Sequence, residues 1–269
     1  MSWETGANRG GAVNLTHQKI PARAEVGRAM NGQTILSDRV MTSHRAAAPL
    51  WKRALDIFLI ALFSPAILFV GAIVTLIVRC GSRGPILFRQ KRVGFGGREF
   101  TCYKFRTMKV NADTTRHRDY TRQLINSETP MVKLDASSDP RLVPFGTILR
   151  ATGLDELPQF INVLKGEMSI VGPRPCIPYE FELYEPWQRR RFDAVPGLTG
   201  LWQVSGKNRT TFNQMIRLDI EYSERASLWL DLQIIFRTLP ALWTQCAETR
   251  ALKRAQNNQE VKTIRLNNL

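Results

Sequence analysis

Two adjacent carboxylates, Asp155 and Glu156, lie in the stretch RATGLDELPQFINVLKGEMSIVGPRP between Leu154 and Leu157, with Arg150 five positions before Asp155 and Arg174 nineteen after it. Neighbours on a helix of about 3.6 residues per turn point roughly 100° apart. The pair therefore suits two separate tasks better than one shared proton. One oxygen can attack phosphorus while the other carboxylate binds Mg2+, an ion that takes a few hard oxygens together with substrate phosphate. Arginines bring planar, permanently charged forks that match phosphate oxygens and stabilise charge developing in phosphoryl transfer. Arg174, set between Pro173 and Pro175, is carried on a stiff backbone. The same residues also admit a purely structural account, an acidic helix N-terminus with arginines as its counter-ions.

The rest of the chain must position this constellation and bring it to an anionic substrate. With 38 basic against 23 acidic residues in 269, the formal charge is +15 and the partners are anionic: phosphorylated small molecules, anionic lipid or nucleic acid. Four scattered cysteines form no CxxC pair and so suggest neither a disulfide framework nor a zinc site. Three histidines, His17, His44 and His117, two of them in a polar N-terminal stretch, argue against a His-centred triad. Residues 1–48 have no sustained period and read as a mobile, mildly basic tail without a secretory signal.

Residues 57–78, IFLIALFSPAILFVGAIVTLIV, run 22 positions without a charge, which as a straight helix spans about 33 Å, membrane length. Ser64-Pro65 falls near the middle, where proline removes a backbone donor and kinks or breaks a helix. Lys52 and Arg53 precede the segment, and Arg79, Arg83, Arg89, Lys91 and Arg92 follow it. Basic residues at both ends suit one cytosolic, anionic leaflet, so residues 49–80 are expected to enter the bilayer, bend at Pro65 and return. A proline-kinked spanning helix is the alternative.

Downstream, ILFRQKRV and EFTCYKF are strand candidates joined by a turn at Gly94, Gly96 and Gly97, which predicts a small β-hairpin. GFGG lacks the strand-to-helix setting of a phosphate loop and reads as a plain turn. Residues 110–127 pattern as a polar helix, and DPRLVPFGTILRATG as a helix leading to the acidic pair. PYEFELYEPWQRRRF is a helix candidate interrupted near Pro186, its Arg189-Arg190-Arg191 run fitting a solvated face. Residues 210–243, with Trp229, Phe236 and Trp243, suit an amphipathic helix at a membrane interface or a stripe packed on a core. Beyond Thr249 a basic, loose tail is expected over residues 249–269.

Three separated motifs, GPILFRQKRVGFGGREFTCYKFRTM, GLDELPQFINVLKGEMSIVGPRP and PGLTGLWQVSGKN, together with the Ser64-Pro65 interruption, closely resemble the bacterial sugar transferases, the monotopic polyprenyl-phosphate hexose-1-phosphate (phosphoglycosyl) transferases, over about residues 50–245. The resemblance is to the short form, without extra spanning helices. It implies a mainly α fold with a small β-hairpin, a re-entrant helix, interfacial amphipathic helices and a catalytic domain over residues 81–248, held at the cytosolic face of the bacterial inner membrane. It further implies Asp155 as nucleophile, Glu156 with Asp155 as Mg2+ ligands, and Arg150 and Arg174 as phosphate contacts. Lys104 and Arg106 of KFRTM match another family motif and are assigned to the anionic substrate, an ordinary basic loop being their alternative. Gln159 either supports the helix or touches substrate, and Trp202, Gln203 and Lys207 either meet sugar or nucleotide or form a packed turn.

The reaction implied transfers a sugar-1-phosphate from a UDP-sugar to undecaprenyl phosphate through an aspartyl-phosphosugar, starting exopolysaccharide or glycan assembly, with membrane lipid as a further partner and no nucleic acid. Homo-oligomerisation stays open. A rival class, a membrane-anchored basic binding protein for nucleic acid or another anionic partner, is motivated by the +15 charge and the arginine run.

Overall fold

The computed structural model describes residues 48–109, 115–125, 127, 129–131, 141–206 and 210–267, with side chains described through residue 251 apart from 115–117 and 248–249. Nearly all of the expected N-terminal tail, and Lys207, lie outside the described residues.

Helix α1 (Leu50–Gly81) is one element of 32 residues with Pro65 inside it. Proline has no N–H for the carbonyl four residues earlier, which here is Ala61. The Ser64 hydroxyl donates to that carbonyl at 2.9 Å, so the orphaned acceptor is satisfied locally. The chain stays helical across Ser64-Pro65, and the break expected there is in backbone terms a proline absorbed into a single helix.

The two ends of α1 are buried and its middle is not. Lys52, Asp56 and Ile60 at one end and Val74 and Val78 at the other are covered, whereas Leu62, Phe63, Leu68 and Phe69 are exposed. Its most apolar stretch has a mean hydropathy of 2.7.

Both ends dock on the same folded body. Ile60 packs with Phe100, Cys102, Val163 and Met168. Val74 and Val78 pack with Phe105 and Leu149. Lys52 donates to Asp231 at 2.6 Å and to the Tyr222 hydroxyl at 2.8 Å. Asp56 accepts from the Ser169 hydroxyl and the Ile170 N–H, each at 2.9 Å. Arg106 holds the far end through the carbonyls of Ser82 and Arg83.

The predicted hairpin forms as β1 (Leu87–Val93) and β2 (Glu99–Phe105), antiparallel, with Leu87 opposite Phe105 and Val93 opposite Glu99. Its turn is a short 3-10 element over Phe95–Gly97 with φ of 63° and 74° at Gly96 and Gly97, a left-handed region in which glycine carries no Cβ penalty. The polar helix α2 (Thr115–Ile125) and helix α3 (Gly146–Thr152) follow. Next come a 3-10 turn over Leu154–Gln159 and helix α4 (Phe160–Lys165).

Strand β3 (Ser169–Val171) pairs in parallel with β4 (Gly197–Thr199), a ladder the sequence pattern did not announce. The two chains approach so closely that a Cβ on Gly172 would lie 2.1 Å from the Val195 carbonyl oxygen. The stretch around Pro186 divides, as its proline suggests, into α5 (Pro178–Glu182) and a 3-10 turn over Gln188–Asp193.

After α6 (Leu201–Val204), the single amphipathic stretch expected over residues 210–243 is two helices, α7 (Phe212–Arg225) and α8 (Leu228–Asn267), divided at Ala226-Ser227. Helix α8 exposes Trp229, Phe236 and Trp243 and buries Asp231 and Ile234. It continues to Asn267, where a loose tail was expected past Thr249. The described residues are thus mainly helical with a small antiparallel hairpin.

Candidate active site

The acidic pair occupies the 3-10 turn between α3 and α4 rather than an α-helix. Gly153, at φ 75°, ends α3 in the left-handed conformation and redirects the chain. The Glu156 N–H then bonds the Gly153 carbonyl at 3.0 Å. The apolar frame of the pair has a specific partner: Leu154 and Leu157 pack with Val70, Val74 and Val78 of α1 together with Phe105 and Leu149. The far side of the turn is held by Asn162, fully buried, which donates to the Thr101 carbonyl at 2.7 Å and accepts from the Tyr103 N–H at 3.2 Å. Arg53 of α1 donates to the Val163 and Leu164 carbonyls at the end of α4.

Asp155 is 8% exposed, and among the described residues no hydrogen-bond donor reaches its oxygens. Burial disfavours its charged form and Glu156 adds like-charge repulsion, while Lys104, Arg150 and Arg174 pull the other way. The net effect pushes its carboxyl up from 3.8 to about 6. Glu156 is differently placed. Its carboxylate accepts from the Lys104 ammonium at 2.8 Å and lies 3.8 Å from an Arg174 nitrogen. The adjacent acids therefore have separate environments, one poor in partners and one ion-paired.

A small, open cleft lies beside them, lined by Arg92, Cys102, Lys104, Glu156, Gln159, Arg174, Pro175 and Gly197-Leu198 of β4. Arg174 is fixed from behind. Its carbonyl accepts from Arg191 at 2.8 Å, and the next carbonyl, Pro175, accepts from Arg92 at 3.0 Å. Arg191 in turn pairs with Asp219 at 2.5 Å and reaches the Tyr184 hydroxyl at 3.0 Å, all three being buried. The arginine run is accordingly not a uniformly solvated face. Arg190 is exposed and pairs with Glu224, Arg189 lies over the Phe181 ring, and Arg191 is interior.

The structure brings together Asp155, Glu156, Lys104, Arg150, Arg174 and Gln159. Arg106 is not among them. It is 4% exposed, and both terminal nitrogens bond carbonyls of Ser82 and Arg83 at 2.9 Å, so it caps the end of α1. Trp202 is buried with its indole N–H on the Thr210 hydroxyl at 2.7 Å, the packed-turn alternative. Gln203 donates to the Leu198 carbonyl behind the cleft wall. Arg92, Asn162 and Arg191 are the residues that the spacing did not single out.

Among the described residues no group of three or more His, Cys, Asp or Glu side chains assembles. The carboxylates at this site are Asp155, buried, and Glu156, ion-paired to Lys104; Mg2+ takes a few such hard oxygens together with substrate phosphate.

The family profile described as bacterial sugar transferase matches residues 47–245, nearly the whole described body. The chain belongs to the bacterial sugar transferase family. This sugar transferase is 45% identical over 157 residues to a galactosyl transferase, CpsE, of Streptococcus agalactiae serotype III, covering 58% of this chain and 34% of that protein. It is 37% identical over 191 residues to the exopolysaccharide production protein ExoY of Sinorhizobium fredii, covering 71% and 84% respectively. It is 41% identical over 212 residues to the UDP-glucose:undecaprenyl-phosphate glucose-1-phosphate transferase of Caulobacter vibrioides, covering 74% and 72%. The sugar transferase thus spans about a third of the streptococcal protein and most of the other two.

Proposed function

We propose that this protein transfers a sugar-1-phosphate from a UDP-sugar to undecaprenyl phosphate, with Asp155 as the covalent nucleophile. The observation that carries the reading is the contrast within the acidic pair: a buried carboxylate without hydrogen-bond donors among the described residues beside an ion-paired one, at a cleft lined with cations.

In the first step an Asp155 oxygen forms a bond to the phosphorus that carries the sugar. The bond from that phosphorus to the bridging oxygen breaks, and UMP leaves with the electron pair. In the second step a phosphate oxygen of the lipid acceptor attacks the same phosphorus and the aspartyl oxygen departs, regenerating the carboxylate. Attack needs the ionised form. A carboxyl titrating at about 6 is roughly nine-tenths ionised at pH 7 and more reactive than one at 3.8. Lys104, Arg150 and Arg174 offset the negative charge gathered around phosphorus. Lys104 also keeps Glu156 oriented. Mg2+, held by Glu156 with Asp155 and the substrate, would neutralise diphosphate charge.

The docking of both ends of α1 on one body supports a monotopic arrangement, in which the exposed middle of the helix enters one leaflet and both basic ends stay on the cytosolic side. Trp229, Phe236 and Trp243, exposed on α8, would add contact with the interface. An acceptor phosphate at the lipid headgroups is then within reach of a donor arriving from the cytosol.

The test is to incubate the protein in lipid nanodiscs with Mg2+ and a radiolabelled UDP-sugar, omitting acceptor. One sugar-phosphate per active site should become protein-bound with release of UMP, and adding polyprenyl phosphate should discharge it. Asp155→Asn should capture nothing. Release of UDP, or label retained by the Asn variant, overturns the reading.

A further inference from the structure

Arg92 is the cation of the cleft lining that has no part in the chemistry above. Its guanidinium is carried on β1, where Nε and one terminal nitrogen both donate to the Gln90 side-chain oxygen at 3.1 and 2.8 Å, and the other terminal nitrogen donates to the Pro175 carbonyl at 3.0 Å. Three of its five N–H groups thus have protein acceptors among the described residues, and two remain for a ligand. None of those acceptors carries charge, so the cation is positioned without being neutralised. At the cleft wall Arg92, Lys104 and Arg174 stand with one carboxylate, Glu156, whose closest bond is to Lys104, while Glu180 lies near enough to offset part of the Arg92 charge. Desolvation and the nearness of Arg174 both act to lower the proton affinity of Arg92, the mark of two like charges held together before an anion arrives.

We propose that Arg92, held by Gln90, acts with Arg174 as the ligand for the donor phosphate that departs with the nucleoside. The inference rests on the phosphosugar-transfer reading, which leaves a second phosphate to be accommodated. Lys104, Arg150 and Arg174 all pull on the charge of Asp155 and serve the reacting phosphorus. Arg174 lies within the Pro173–Pro175 turn and Arg92 donates to its last carbonyl, so Arg92 extends the phosphate contact of Arg174 towards the leaving group. A fixed fork suits a phosphate monoester, and in the transfer step it would stabilise the charge that accumulates on UMP.

The experiment compares full-length wild-type protein with Arg92→Gln and Gln90→Ala in nanodiscs, measuring inhibition of donor turnover by UMP and by uridine, together with KM for the UDP-sugar. Loss of a charge-assisted contact predicts about a tenfold or larger rise in the UMP inhibition constant and in KM for Arg92→Gln. Gln90→Ala, which keeps the charge and loosens its placement, should show a smaller rise in the same two constants. Uridine, lacking phosphate, should inhibit all three proteins equally. An unchanged UMP constant in Arg92→Gln, or equal weakening of UMP and uridine, overturns the proposal. So does an effect on kcat alone. Failure of the underlying reading would show separately, as release of UDP by the wild type.

Discussion

Replacing Asp155 by asparagine keeps the shape of the side chain and removes its charge, so the variant is a neutral stand-in for the protonated acid. Burial and Glu156 move the wild-type carboxyl from 3.8 to about 6 in the folded protein. At pH 8 the ionised form therefore destabilises the fold by about 3 kcal/mol, at 1.36 kcal/mol for each pKa unit. The sign follows from proton binding. Between pH 3.8 and 6 the folded state holds a proton that the unfolded chain has released, so stability falls as pH rises through that window and is flat above it. Asp155→Asn should thus raise the thermal midpoint at pH 8 by roughly 6–12 °C, using 2–4 °C per kcal/mol for a domain of this size. At pH 4 the two proteins should converge. The measurement is a thermal unfolding scan in one detergent at both pH values, followed by intrinsic tryptophan fluorescence. A variant that is less stable than wild type at pH 8, or an offset that does not change with pH, would refute the claim that Asp155 is held against its own solvation preference. Such a gain in stability with total loss of turnover is the trade expected where a charge is buried for chemistry.

The same titration predicts that acceptor-independent UMP release falls about tenfold per pH unit below pH 6 and is level above 7, as a pH–rate profile would record. Arg106→Met should lower the thermal midpoint by leaving the Ser82 and Arg83 carbonyls without donors, about 2 kcal/mol in all, while KM for the UDP-sugar is unchanged. A raised KM would return Arg106 to the substrate. Lys52→Met leaves Asp231 buried without its cation and should destabilise by about 3–5 kcal/mol, whereas Lys52→Met combined with Asp231→Leu should recover much of that in the same unfolding assay. Gly172→Ala forces a Cβ into the Val195 carbonyl, so it should separate β3 from β4, displace the Arg174 turn and abolish turnover with a lowered midpoint.

The local features were legible where sequence determines them locally. The hairpin follows from strand residues on either side of a glycine turn, and α1 follows from 22 uncharged positions. The pair Asp155-Glu156 with Arg150 and Arg174 admitted a phosphate-handling and a structural reading alike, and the three family motifs around it, rather than its spacing, favoured the first. Contacts between distant segments left no such trace. Nothing in QRRRF distinguishes the interior Arg191 from the exposed Arg190, since the difference is made by Asp219 and Tyr184 arriving from elsewhere in the chain. Arg106 shares a motif with Lys104 yet points to the end of α1. On strand β2 those two positions differ by an even count, but the strand ends at Phe105 and alternation no longer governs the next residue. The β3–β4 ladder is too short to produce a pattern, and its signal, the glycines at 172, 197 and 200, is shared with ordinary turns.

The anchoring of α1 bears on how the protein can be cut. Lys52, Arg53 and Asp56 belong to the interior of the catalytic body as much as Asp231, Val163 and Ser169 do. Val74 and Val78 supply part of the surface on which the Asp155 turn rests. The apolar helix is therefore not a detachable tether. A truncation beginning at residue 82 would remove part of the packing behind the Asp155 turn along with the exposed apolar surface, and solubility would have to come from replacing the exposed middle of the helix rather than from deleting it.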